Sequence, residues 1–181
     1  DMKTSSSLFL SYAMSLAVCE TITNNFKLEA FIKWPNDVLI RTRKVAGILI
    51  NSAVRGEDLE YSVVGVGINL NAKPVGLKGS TSLVEHTCRS SVALEPFLAS
   101  VLALFNNYYD ELQYGNWDLI TERWKLYCPM MGKRIKLVGN GIQLDGVASN
   151  IDSDGFLILV TPGGQKVRIS DTQAELINIK S

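Results

Sequence analysis

The sequence predicts an α+β fold in which helices and strands occupy separate stretches of chain, with a small β-barrel at the C-terminal end. Three observations carry that prediction. Apolar residues recur at three- and four-residue spacings near the start and again between 95 and 127. Short apolar runs bounded by turn residues occupy the stretch from 28 to 70, and past Pro129 helical periodicity gives way to short alternating strands.

The first helix is read from Leu8, Tyr12, Ser15, Leu16 and Cys19, which follow a cap region at Ser5 to Ser7 and end near Asn24-Asn25. Lys3 followed by Leu8 to Val18 and Cys19 has the outline of a secretion signal. Ser11, Tyr12 and Ser15 interrupt it, and it is too short to span a bilayer, so a buried core helix is expected. The chain opens on Asp1 rather than methionine and reads as an excerpt of something longer.

Strands and turns follow. Leu28 to Lys33 is apolar-rich, Trp34-Pro35-Asn36-Asp37 carries turn chemistry, and Val38 to Ile40 is apolar again. Pro35 fixes φ, while Asn36 and Asp37 can hydrogen-bond their own backbone, which specifies a tight turn. Arg41 to Arg43 makes a second polar turn, and Val45, Ile48 and Ile50 begin a longer strand. Lys33, Asp37 and Lys44 therefore sit near strand ends, where lysines can stabilise phosphate oxygens and an aspartate can hold Mg²⁺. Gly47 lets backbone approach a ligand closely. Taken one motif at a time, a hairpin turn and a solvated strand-end lysine are the favoured reading of these residues.

A loop is expected from Asn71 to about Leu94, then a helical pair. Glu95 to Gln113 carries Phe97, Leu98, Val101, Leu102, Leu104, Phe105 and Tyr108 at helical spacing, and Trp117 to Tyr127 continues with Leu119, Ile120 and Trp124 after a break at Gly115-Asn116. This stripe reads as core. Beyond Pro129, strands are expected at Arg134 to Val138, Ile142 to Ile151, Phe156 to Val160, Gln165 to Ile169 and Glu175 to Ile179. The turns between them are Gly139-Asn140-Gly141, Asp152-Ser153-Asp154-Gly155 and Pro162-Gly163-Gly164.

Composition bounds the function. With 181 residues, 46% of them apolar, the chain can bury the core of one medium domain plus a small one and reads as a soluble globular protein. Eighteen basic and eighteen acidic residues cancel, which removes the global positive field that non-specific nucleic-acid binding uses. Lys133, Arg134 and Lys136 read as a solvated strand face. Cys19, Cys88 and Cys128 are odd in number and widely separated, so neither a disulfide framework nor a zinc site is expected, and reduced thiols suit a cytoplasmic protein. His86, in a polar stretch, reads as an ordinary surface histidine. Gly65-Val66-Gly67 lacks the third glycine of a dinucleotide fingerprint, and Ile68 to Asn71 continues a strand instead of opening a helix.

Three segments in order, Lys33-Trp34-Pro35-Asn36-Asp37, Lys44-Val45-Ala46-Gly47-Ile48-Leu49 and Gly65-Val66-Gly67-Ile68-Asn69-Leu70, resemble the catalytic core of the biotin protein ligases. The resemblance implies a catalytic domain like those of class II aminoacyl-tRNA synthetases and biotin ligases, a mixed sheet with helices, over residues 1–129. Residues 130–181 look like the family's SH3-like C-terminal domain, which closes on the catalytic domain and contributes to nucleotide binding and acceptor docking. By position in the motifs, Lys44 is the central catalytic group and Asp37 its catalytic and Mg²⁺-binding partner. Lys33, Trp34, Asn36, Lys44, Gly47, Ile48, Gly65, Gly67 and Asn69 form the site for biotin and its adenylate.

The implied reaction uses biotin and MgATP to make biotinyl-5′-adenylate, then transfers biotin to a lysine of a biotin carboxyl carrier domain. The resemblance covers essentially the whole chain, yet corresponds to the C-terminal two thirds of a complete ligase. The family's glycine- and arginine-rich loop and its preceding strands are not found here; Arg55-Gly56 is the nearest pair and falls in an expected hairpin loop. The chain alone is therefore expected to be catalytically incomplete. No winged-helix DNA-binding domain is read in it, and pairing of two copies through the catalytic sheet is a family habit. A lipoate ligase, or a carrier- or nucleotide-binding relative without turnover, are the competing readings.

Overall fold

The computed structural model describes residues 7–55, 58–139, 142–169 and 175–180, in which three α-helices and nine strands build two antiparallel sheets. Ser5 and Ser6 of the expected cap, with Asp1 and Lys3, lie outside the described residues, as do Gly56 of the first hairpin loop and Asn140-Gly141.

Helix α1 (Ser7–Phe26) is buried along every residue from Phe9 to Ile22, because β-strands cover one side of it and two further helices cover the rest. An all-round apolar helix is a core helix. No helix among the described residues is long and apolar enough to cross a membrane.

The first sheet is β1 (Ala30–Lys33), β2 (Asp37–Ile40), β3 (Arg43–Arg55) and β4 (Asp58–Ile68), side by side in that order. All of these strands pair antiparallel, and the one parallel contact is an isolated Lys44–Ser80 bridge, so the expected mixed sheet is antiparallel among the described residues. Two neighbouring rows cross it. Ile32, Val38, Ala46 and Ile68 line up facing α1, whereas Lys33, Asp37, Gly47 and Gly67 line up on the other face. β4 ends at Ile68, where an extended run to Asn71 was expected. There the chain leaves the sheet, and the Leu83 and Val84 N–H groups donate to the Asn69 and Leu70 carbonyls at 2.8 and 2.9 Å.

Helices α2 (Leu94–Gln113) and α3 (Trp117–Tyr127) match the expected pair closely. Only one face of α2 is covered. Phe97, Val101, Tyr108 and Leu112 are buried, while Leu98 and Leu102, read as core, lie 45% and 48% exposed on the far side of the helix. Arg123 fastens the three helices together: its Nε donates to Glu20 Oε1 at 2.7 Å and to the Tyr108 hydroxyl at 3.1 Å.

The second sheet contains β5 (Arg134–Gly139), β6 (Ile142–Ile151), β7 (Leu157–Val160), β8 (Lys166–Ile169) and β9 (Glu175–Lys180), ordered β8-β7-β6-β5-β9. Among the described residues these pairings make an open five-stranded array, without the β8–β9 pairing that would close a barrel. The two sheets meet through α1. The Tyr12 hydroxyl donates to the Gly155 carbonyl at 2.6 Å, and Tyr12 stacks on Trp124 with ring centroids 4.5 Å apart. Gly155, at φ 87°, holds a conformation that disfavours a side chain, and a Cβ there would lie 3.1 Å from Leu8 Cβ, close enough that Leu8 would have to shift.

Candidate active site

The turn between β1 and β2 sets out the site. Lys33 and Asp37 are register partners, joined through Trp34, Pro35 and Asn36. Asn36 binds the turn to β3: its side-chain amide donates to the Ile48 carbonyl at 2.9 Å, and its own carbonyl accepts from Ile48 N–H at 2.9 Å.

Lys44 reaches the same face because of a β-bulge. Between Val38 and Leu39 the register shifts, so that Val38 faces Ala46 and Leu39 faces Lys44, with Val45 as the extra residue. Val45 and Ala46 are consequently both buried, and the Lys44 side chain is turned to the outer face. There its ammonium forms an ion pair with Asp37 Oδ1.

Gly47, the register partner of Asp37, leaves space for this pair. A Cβ there would lie 3.0 Å from Lys44 Nζ and 3.7 Å from Asp37 Oδ1. Next to it Gly67 has nothing within 4 Å of a built Cβ, and Gly65 meets only Leu49 backbone and Cβ. The outer face is thus a pavement of bare backbone edged by Lys33, Lys44 and Asp37, with no ion-pair partner for Lys33 among the described residues. The Lys44 side chain is 43% exposed, and the cavities of about 510, 380 and 650 Å³ elsewhere on the molecule are lined by none of these three.

Not every expected contact residue faces this pavement. Trp34 is 3% exposed and Ile48 1%, both in the core with α1, so they support the turn and β3 from below instead of lining the site. Asn69 is partly buried, and its amide donates to the Thr81 carbonyl at 3.0 Å.

The sequence reading missed the segment from Gly79 to Leu83. The Lys44 N–H donates to the Gly79 carbonyl and the Lys44 carbonyl accepts from Thr81 N–H, both at 2.8 Å, so this segment runs alongside the catalytic candidate. Its signal is a run of small hydroxyl residues, Ser80-Thr81-Ser82, ending on the buried Leu83. The wider loop is clasped at its base by Asn71, whose side chain donates to Val92 O at 2.9 Å and accepts from Val92 N–H at 2.7 Å. His86, read as a surface residue, is half-buried and shares a 2.8 Å hydrogen bond with Thr81 Oγ1. Burial, then the Arg41 and Arg43 charges, hold its pKa below the usual imidazole value. No group of three or more His, Cys, Asp or Glu side chains is poised to hold a metal among the described residues.

Fold and motif together define a class, and comparison with known proteins agrees. Residues 1–69 match the biotin/lipoate A/B protein ligase family. Among curated relatives, the biotin–[acetyl-CoA-carboxylase] ligase of Paracoccus denitrificans is 33% identical over 141 residues, covering 75% of this chain and 59% of the relative. The bifunctional ligase/repressor BirA of Bacillus subtilis is 26% identical over 161 residues, covering 87% of this chain and 50% of the relative. The chain thus spans about half to three fifths of the length of these relatives. In fold it resembles the biotin protein ligase of Aquifex aeolicus in complex with biotin and ATP, with a TM-score of 0.77, 24% identity, and coverage of 93% of this chain and 70% of that one.

Proposed function

We propose that this chain is the part of a biotin protein ligase that handles the reacting carboxylate and phosphate. In this reading it forms biotinyl-5′-adenylate from biotin and ATP and passes biotin to a lysine of a biotin carboxyl carrier domain. The observation that carries the reading is the convergence of Lys33, Lys44 and Asp37 around a sheet face paved by Gly47, Gly65 and Gly67. The names of the relatives, and the biotin and ATP in the Aquifex protein, support it.

In the first step a biotin carboxylate oxygen bonds to the α-phosphorus of ATP as the bond to pyrophosphate breaks. Negative charge grows on the oxygens in transfer, and the Lys44 ammonium bridges carboxylate and α-phosphate while Lys33 supplies a second cation. The three glycines let the ligand lie against backbone, and Asn36 and Asn69 hold the turn and loop that frame the nucleotide. Asp37 suits Mg²⁺: one oxygen is on Lys44, the other has no partner among the described residues, and Mg²⁺ commonly takes one or two carboxylates plus substrate phosphates. When bound, the ion neutralises phosphate charge. In the second step the acceptor lysine amine, donating a hydrogen bond to Asp37, attacks the acyl carbon; the amide bond forms as the bond from that carbon to the phosphate oxygen breaks, AMP leaves, and the proton lost by the amine passes to solvent.

The division at residue 129, an SH3-like role for residues 130–181 in closing on nucleotide and acceptor, pairing of two copies through the first sheet, and a cytoplasmic setting complete the proposal. The chain alone is catalytically deficient in this reading, since the Lys44 side chain is exposed and the family's arginine-rich loop has no counterpart in this sequence. The test is biotin- and MgATP-dependent pyrophosphate release by this chain and by a version extended upstream, with Lys44→Ala as control. Release by the extended form alone supports the proposal; silence from both removes it. Lipoate in place of biotin is the second arm, because the matching family includes lipoate ligases. Turnover with lipoate alone replaces biotin by lipoate as substrate.

A further inference from the structure

A charged cavity lies apart from the Lys33, Asp37 and Lys44 side chains. It has a volume of about 650 Å³ and opens where the end of α1 meets the turn from β2 to β3. Lys27, Arg41, Arg43 and His86 line it, over Leu28 and Phe31. Among the described residues, Lys27 and Arg41 are the two non-glycine residues with positive φ, 56° and 57°. The left-handed conformation is unfavourable for a residue with a Cβ and is normally left to glycine or asparagine. Here both positions hold long cations, and both line one cavity.

The charges do not cancel. Arg43 pairs with Glu85 at 3.4 Å and donates to the Ser80 carbonyl, and Glu85 is also held by Lys73 at 3.2 Å. Lys27 and Arg41 have no ion-pair partner among the described residues, and the remaining acid on the cavity wall is Glu29. The lowered His86 pKa reports the same field, with Arg41 and Arg43 outweighing Glu85 after burial.

We propose that this cavity is a binding site for a small organic anion, whose phosphate or carboxylate head lies between Lys27 and Arg41 and whose apolar body lies on Leu28 and Phe31. Its volume falls within the usual range of small-ligand pockets, about 300 to 1,000 Å³. The site shares none of Lys33, Asp37 or Lys44, and it stands whether or not the ligase reading does.

His86 is the chain's single histidine, so its ring resonances report on this cavity without ambiguity. The experiment titrates this chain with phenyl phosphate, benzoate and inorganic phosphate while following those resonances. Phenyl phosphate or benzoate should give a saturable shift and raise the His86 pKa, because a bound anion offsets the Arg41 and Arg43 charges. The tighter of the two identifies the head group, and weaker binding of inorganic phosphate supports the apolar floor. Lys27→Gly and Arg41→Gly relieve the backbone, so both variants should melt at or above the temperature of the parent while losing the response. No saturation with any probe, inorganic phosphate binding as tightly as both aryl anions, or an unchanged response in the glycine variants overturns the proposal.

Discussion

The Lys44 ammonium and the Asp37 carboxylate meet directly over Gly47, a residue with no side chain to contest the space. The pair spans adjacent strands, and it forms because a bulge turns Lys44 toward Asp37. Positioning here is steric as much as electrostatic.

Gly47→Ala tests the steric part. The new Cβ would lie 3.0 Å from Lys44 Nζ and 3.1 Å from Cε, so the flexible end of the lysine must move while the strand need not. Stability should change by no more than about 0.5 kcal/mol, whereas a catalytic group displaced by about 1 Å loses about 100-fold in rate. Pyrophosphate release by the upstream-extended chain, read beside a thermal melt, checks both. An undiminished rate would remove Lys44 from the chemistry.

Lys44→Ala tests the charge. In the extended chain the adenylation rate should drop by about 100- to 1,000-fold, the usual effect of deleting one electrostatic stabiliser. Because the Lys44 side chain is 43% exposed, the pair itself adds less than about 1 kcal/mol to folding. Urea midpoints of parent and variant should therefore nearly coincide.

Tyr12→Phe separates the two sheets energetically. It deletes the 2.6 Å hydrogen bond to Gly155 and leaves a carbonyl without its donor, at a cost of about 1 to 2 kcal/mol. Urea unfolding followed by tryptophan fluorescence should show the loss, and an unchanged midpoint would mean that water replaces the phenol.

Alkaline pH should unfold the protein. Burial pushes the Cys128 thiol from 9.0 up to about 12, and burial raises Tyr12 and Cys19 as well. The unfolded chain then loses its protons first, so stability is complete below pH 9 and falls as pH rises toward 12. The slope for one such group is about 1 kcal/mol per pH unit. Urea midpoints between pH 8 and 11 under reducing conditions should decline, and more shallowly in Cys128→Ala.

Much of this was legible in the sequence because it depends on local periodicity. Leu8, Tyr12 and Leu16 mark α1, and Gly115-Asn116 separates α2 from α3. Lys33 and Asp37 come together through a turn whose residues dictate it. What escaped depends on contacts distant in sequence or on a single-residue shift of register. Strict alternation does not reveal that Val45 is an extra residue, so the orientation of Lys44 is invisible until β2 is placed beside it. Trp34 and Ile48 belong to the motifs from which a ligand site was expected, yet their own side chains lie under the sheet. Leu98 and Leu102 share a helical stripe with Phe97 and Val101 and differ only in which of them α1 reaches.

The Asn71–Val92 clasp, together with the bonds from Lys44 to Gly79 and Thr81, divides the long loop into an anchored part and an arc from 72 to 78 that is tied back near its ends by Lys73 to Glu85 and by the Leu77 carbonyl to Ser80. Val75 at its crown is fully exposed at 102%. Since both ends of the arc are pinned to the sheet, its middle can be lengthened, shortened or labelled without disturbing the strands below. A fluorophore attached at Val75 would therefore be a reporter on the same loop whose Gly79 and Thr81 bond the Lys44 backbone, and it would test the proposed arrival of a ligand on the glycine face.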